Sequence, residues 1–81
     1  MMRRSKRPSM TTPIRLLDVV ALTEDLPDRG LRRGQVGTIV EALAPNLFEV
    51  EFTDNAGRTY AQLPLRAEQM MVLHYRPVAT A

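Results

Sequence analysis

Three arginines lie close together in a polar stretch, and their spacing suggests contact with an anionic partner. Arg29, Arg32 and Arg33 fall within one stretch of five residues. Guanidinium groups pair readily with phosphate oxygens, so such a cluster can contact a nucleic-acid backbone. Three carboxylic acids share the same predicted loop, residues 24–33: Glu24, Asp25 and Asp28. They would cancel most of the positive field, so the alternative is a solvated loop whose ion pairs contribute about 0 to 1 kcal/mol each.

Two carboxylates and one histidine are the residues with which this chain could perform acid–base chemistry. Glu49 and Glu51 stand two apart in an alternating stretch, which places both on one face of a strand. Paired carboxylates can act as acid and base, but the sequence offers them no nucleophile or second titrating group. We therefore expect a solvated strand face, a surface position for His74, no enzyme activity, and no metal or other cofactor.

Two neighbouring methionines and the tyrosines bear on binding to another protein. Met70 and Met71 are adjacent, so on a strand they point to opposite faces, one into the core and the other into an exposed apolar patch. Tyr60 and Tyr75 are the only tyrosines, and with both phenylalanines in the core they are too few to line a proline-peptide groove. The candidate partner-binding residues are Arg29, Arg32, Arg33, Tyr60, Met70 and Met71.

Length and composition limit the class of protein. A chain of 81 residues allows one domain with one core, and the absence of cysteine excludes disulfides, thiolate catalysis and cysteine-based zinc sites. No apolar run reaches the roughly 20 residues of a membrane helix, and no secretory signal is recognisable, so we expect a cytoplasmic protein.

The net charge of +2 is unevenly distributed along the chain. Four of the eleven basic residues lie in the first nine positions, leaving seven basic and nine acidic residues, a formal charge of −2, in the remainder. A basic tail alone gives weak, salt-sensitive attraction to polyanions. Met10 is a second candidate start, in which case the basic residues before it would belong to a mis-annotated leader.

The elements that position these residues follow from periodicity and turn chemistry. We predict a disordered basic tail over 1–13, a domain over 14–76 and a frayed tail over 77–81. The predicted strands are 16–22, 35–43, 47–53, 58–65 and 70–75, with one helical turn over 66–69. In the third strand, Phe48, Val50 and Phe52 should face inward. Gly37 should mark a bulge or sharp bend in the second, and Gly30 and Gly57 should allow positive φ.

Five short strands, a long first loop, tight hairpins and a one-turn helix before the last strand resemble an SH3-like barrel. The segment RRGQVGTIVEAL also resembles the KOW element of ribosomal and transcription-elongation proteins. A closer resemblance is to a family of short bacterial proteins of unknown function, common in cyanobacteria (domain of unknown function 4926). It rests on LLDVVAL, EDLP, GLRRGQVGTIVE, FEVEF, DNAGRTYA and AEQMMVLHY. This resemblance covers residues 16–75 and implies no activity, because the family has no assigned catalytic or binding residues.

The sequence therefore favours a non-catalytic, all-β, five-stranded SH3-like barrel that binds another protein through an exposed apolar face and its first loop. The first alternative is a KOW-like RNA- or ribosome-associated module that uses the arginine cluster and the basic tail. A second is a small partner or antitoxin of a neighbouring gene product. Because residues 16–22 and 70–71 carry apolar side chains on both strand faces, we also expect a weak homodimer or a patch kept for a partner.

Overall fold

The computed structural model describes residues 13–74, which form a single antiparallel sheet. Its strands are β1 (Val19–Leu22), β2 (Val36–Ala44), β3 (Leu47–Thr53), β4 (Thr59–Arg66) and β5 (Met70–Val72). Their order across the sheet is β4-β3-β2-β1-β5. One-turn 3₁₀ helices occur at Pro27–Arg29, in the first loop, and at Ala67–Gln69, directly before β5. The predicted all-β class, with five strands and one helical turn before the last, is confirmed.

Alternation in β3 sets the inner and outer faces of the sheet. Phe48, Val50 and Phe52 are buried, whereas the glutamates between them lie on the opposite face. Those glutamates accept hydrogen bonds from side chains of β4. Gln62 Nε2 donates to Glu49 at 3.2 Å, and the Thr59 hydroxyl donates to Glu51. The inward phenylalanines and the solvated outer face are therefore as predicted.

One core holds the sheet together. The buried apolar side chains that form it come from all five strands and the first loop: Val20, Leu22, Leu31, Ile39, Phe48, Val50, Phe52, Leu63, Leu65 and Met70. Because β4 and β5 stand at opposite ends of the strand order and both contribute, the sheet has to curve around this core. Each fully buried side chain of this kind contributes about 1.5 to 3 kcal/mol relative to exposure.

β2 contains the irregularity predicted for it, but at a different place. Gly37 pairs in regular register with Val20, and the register shifts occur later, between Ile39 and Glu41 and between Ala42 and Ala44. A Cβ built on Gly37 would lie 2.7 Å from Val50 Cγ1. Gly37 therefore serves close packing of β2 against the core, and the prediction of a bulge there is wrong.

β1 begins later than predicted because the chain turns before it. Residues 15–18 form a turn in which the Asp18 N–H donates to the Arg15 carbonyl at 3.0 Å and Asp18 Oδ2 accepts the Arg15 N–H at 2.8 Å. Leu17 takes a positive φ of 70° in this turn, which a strand does not allow. Leu16 and Leu17 are both exposed, so the apolar residues predicted for two faces of a strand lie instead on a turn.

The first loop closes one end of the core. Leu26 and Leu31 form an isolated antiparallel bridge around the 3₁₀ turn, and Leu31 is buried. Gly30 ends that turn with a φ of 70°, and Gly57 takes a φ of 81° in the β3–β4 hairpin. The positive φ values predicted for both glycines are confirmed, whereas the 3₁₀ turn was not anticipated.

Several predictions fall on residues 1–12 and 75–81, which lie outside the described part of the chain. They concern the disordered basic tail, the alternative start at Met10, the role of Tyr75, the end of the domain at 76 and the frayed C-terminus.

Candidate functional site

An open apolar groove runs beside β5, with a volume of about 620 Å³. One wall is formed by β5 itself, and the other by the β2–β3 turn and the 3₁₀ turn before β5. The apolar side chains that give the groove its character are those of Ile14, Phe48, Met70, Met71 and Val72. We call this feature the β5 groove.

The two methionines occupy different depths of the β5 groove. Met70 is 5% exposed and belongs to the core, whereas Met71 is 54% exposed. The strand alternation predicted one buried and one exposed methionine, and the structure shows which is which. A half-exposed methionine in an apolar groove is suited to binding, because its flexible, polarizable side chain adapts to different contact surfaces.

A single carboxylate, Glu68, lies in the wall of the β5 groove. Asn46 Nδ2 donates to Glu68 Oε1 at 2.9 Å, and Arg66 Nε donates to Glu68 Oε2 at 2.8 Å. The Thr23 hydroxyl donates to the Glu68 carbonyl at 3.1 Å, which joins the 3₁₀ turn to the end of β1. These contacts fix the carboxylate between the β2–β3 turn and β4.

The pKa of Glu68 is lowered from 4.5 to about 2. The largest cause is the hydrogen bond from Asn46, followed by a backbone N–H and the Arg66 guanidinium, all of which stabilise the charged form. Glu68 is therefore ionised at every physiological pH. No local sequence pattern indicates this group, because Asn46 and Glu68 are 22 positions apart.

The arginine cluster of the first loop lies elsewhere. Arg29, Arg32 and Arg33 are exposed, and within residues 13–74 none of their side chains forms an ion pair. Backbone contacts hold the loop: the Arg33 N–H donates to Asp25 Oδ1 at 2.8 Å, and the Arg32 N–H donates to Gln35 Oε1. Residues 13–74 contain six arginines and nine acidic residues, a formal charge of −3, whereas the whole chain carries +2.

Tyr60 belongs with the first loop. Gln35 Nε2 donates to the Tyr60 hydroxyl at 3.1 Å, and the same amide accepts the Arg32 N–H. The Tyr60 ring centroid lies 6.2 Å from that of Phe52. The six candidate residues thus form two groups, Met70 and Met71 in the β5 groove and Tyr60 with the three arginines beside the first loop.

The remaining titratable candidates lie on the outer face of the sheet and at one end of the β5 groove. Glu41 lies directly opposite Glu49 on the outer face of the sheet, and the glutamates there contact polar side chains of β4. His74 is exposed and lines one end of the β5 groove. In residues 13–74, no three His, Cys, Asp or Glu side chains lie close enough to hold a metal ion. That part of the chain also contains no helix long and apolar enough to cross a membrane.

Comparison with known proteins identifies a family. The chain matches the family described as Domain of unknown function (DUF4926) over residues 16–72. That range includes all five strands and the methionines of the β5 groove. No match is found among curated proteins or among solved structures.

Proposed function

The chain belongs to the DUF4926 family, and we propose that it is a non-catalytic module that binds another protein through the β5 groove. The observation that carries this proposal is the position of Met71, 54% exposed in an apolar groove whose floor is the core itself. An exposed apolar side chain that continues an apolar groove is typical of an interaction surface, whereas isolated exposed apolar side chains are common.

The polar groups around the groove support binding over catalysis. Glu68 is held in its charged form by Asn46 and Arg66, so it is poorly suited to exchange a proton near neutral pH. The outer-face glutamates accept hydrogen bonds from Thr59 and Gln62 on the outer face of the sheet, away from the β5 groove. Fixed charge and fixed apolar surface are what a partner recognises, and catalysis needs a group that changes its protonation or bonding.

A KOW-like contact with RNA or the ribosome is the second candidate function. It is favoured by the exposed, unpaired side chains of Arg29, Arg32 and Arg33 among residues 13–74. The charge of −3 over the same residues opposes a phosphate contact made by the first loop alone, although the whole chain carries +2. We rank it below protein binding for this reason.

A role as the small partner or antitoxin of a neighbouring gene product, in a bacterial cytoplasm, is a more specific form of protein binding.

A co-purification experiment with one matched control tests the proposal. Tagged full-length protein is isolated from its native cells as wild type, Met71→Glu and Val36→Glu, and bound proteins are quantified by mass spectrometry. Val36 is 44% exposed on β2 and does not line the groove, so it receives the same charge at similar exposure. We expect a specific partner to be lost in Met71→Glu and retained in Val36→Glu. Equal recovery with both variants, while circular dichroism shows both folded, would contradict the proposal.

A further inference from the structure

β5 is an end strand of the described sheet, so one of its backbone edges has no neighbouring strand within residues 13–74. On its other edge it pairs with β1 in the register Leu22 to Met70, Ala21 to Met71 and Val20 to Val72. Met70, Met71 and Val72 are consecutive, and all three line the β5 groove. Since neighbouring strand residues point to opposite faces, a groove lined by all three follows the backbone edge of the strand.

Two hydrogen bonds, one at each end of the β1–β5 pairing, show which backbone groups of β5 face the groove. The Thr23 N–H donates to the Gln69 carbonyl at 2.9 Å, and the Leu73 N–H donates to the Val19 carbonyl at 2.8 Å. Antiparallel strands alternate between bonded and non-bonded pairs. Met71, two residues from both Gln69 and Leu73, therefore directs its N–H and carbonyl towards β1.

The backbone N–H and carbonyl groups of neighbouring strand residues point to opposite edges of the strand. Those of Met71 point towards β1, so those of Val72 point away from β1, into the β5 groove. The Met70 carbonyl has the same direction, whereas the Met70 N–H already donates to the Ala67 carbonyl. The edge thus presents a donor and two acceptors in sequence, beside apolar side chains. A short extended segment can satisfy such a row by pairing with it as an additional strand.

The opposite end of the sheet differs from β5. β4 is the other end strand, and it contains Pro64, which lacks an N–H and blunts an edge against further pairing. β5 consists of Met70, Met71 and Val72 and has neither proline nor charge. The β4 edge therefore carries a proline that opposes strand addition, and the β5 edge beside the groove carries no such residue.

We propose that the partner contributes a short, extended, basic and apolar segment that adds to β5 as a sixth strand. This inference rests on the proposed function and specifies how the partner binds. Neighbouring side chains of the segment point to opposite faces, so one set would lie on Phe48 and the other on Met71 in the β5 groove. An arginine or lysine at one end would face Glu68, the one acidic group among the described lining residues, and would share that carboxylate with Arg66.

Peptide titration of the full-length protein tests the inference. The probe is an end-blocked hexapeptide of alternating valine and arginine, and binding is measured from amide chemical shifts by NMR. We expect the Val72 amide to shift on binding. A peptide with glutamate in place of arginine should bind about ten-fold more weakly, because its carboxylates would meet the ionised Glu68.

Two changes remove the backbone bonds separately. Val72→Pro deletes the N–H that faces the groove, and its matched control Val72→Thr keeps that N–H and the branched side chain. An arginine peptide methylated on alternate backbone nitrogens tests the same bonds without altering the protein. Loss of the one hydrogen bond donated by the Val72 N–H should weaken binding by up to about ten-fold in Val72→Pro. Methylation of the peptide removes the bonds donated to the Met70 and Val72 carbonyls, and its loss of affinity should be at least as large.

The outcomes separate this inference from the proposed function. Equal affinity of Val72→Pro and Val72→Thr, or of the methylated and unmethylated peptides, would overturn strand addition. Absence of any binding by the arginine peptide would overturn the proposed chemistry of the segment. In both cases the co-purification result at Met71 would still decide whether the groove binds a protein. A wild-type dimer in sedimentation velocity that Val72→Pro abolishes would identify a second copy of this chain as the occupant and overturn the basic partner segment.

Discussion

Gly37 is the position where a single added methyl group should have the clearest effect on stability. It lies in β2, where alanine is ordinarily about 0.5 to 1 kcal/mol better than glycine. At Gly37, however, the new Cβ would lie 2.7 Å from Val50 Cγ1, 3.0 Å from the Glu51 carbonyl oxygen and 3.0 Å from Phe52 Cε2. Carbon atoms pack best at about 3.5 to 4.0 Å, so the backbone or the core has to move.

We expect Gly37→Ala to destabilise the fold by about 1 to 2 kcal/mol, since overpacking costs about 1 to 3 kcal/mol and the alanine preference offsets part of it. For a domain of this size, that corresponds to a fall in Tm of roughly 4 to 16 °C. Urea denaturation followed by circular dichroism measures the change, with an unchanged m-value showing that the transition remains comparable.

A second variant isolates the cause. Val50→Ala removes the methyl group nearest to the added Cβ, so Gly37→Ala should cost less in that background than in wild type. The difference is the coupling energy of a double-mutant cycle. Stabilisation by Gly37→Ala, or a cost that Val50→Ala leaves unchanged, would refute the assignment of Gly37 to close packing.

Three further changes test other parts of the structure. Leu17→Gly should stabilise the fold by about 0.5 to 1 kcal/mol in thermal unfolding, because Leu17 holds a φ of 70°, and Leu17→Ala should show no such gain. Ionised Glu68 stabilises the fold fully above pH 4.5, and that contribution is lost as the pH falls through about 2, so Glu68→Gln should lose less stability over this range in acid titrations. Deleting residues 1–9 should abolish RNA and DNA retention at roughly physiological salt without unfolding the protein. Undiminished binding that an Arg32→Ala, Arg33→Ala double variant removes would instead support the KOW-like function.

Local patterns were sufficient to predict most of the fold. Alternation in residues 47–53 identified β3 and both of its faces, because side chains on a strand repeat every two residues. Pro45 and Asn46, and later Gly57, marked the two hairpins through their backbone preferences. These signals depend on neighbours in the chain, which a single sequence contains.

Features that depend on distant contacts could not be predicted. The stretch 16–22 is apolar except for Asp18, but its first residues lie in a turn outside β1, where the Leu17 N–H donates to the distant Ile39 carbonyl at 2.7 Å. Gly37 looked like a bulge glycine because nothing nearby in sequence shows that Val50 approaches it. The carboxylate of the β5 groove depends on a contact between Asn46 and Glu68, which only the folded sheet brings together. The exposed member of the two methionines likewise follows from the register of β5 with β1.

Site-specific photo-crosslinking in the native cell tests most directly whether the β5 groove binds another protein. A benzoylphenylalanine residue is placed at Met71 in one strain and at Val36, an exposed position outside the groove, in another. Our account predicts a discrete crosslinked protein at position 71 that is absent at position 36, and its loss when Val72 is also changed to proline. Identical products at both positions, or no product at position 71 while position 36 yields one, would contradict it.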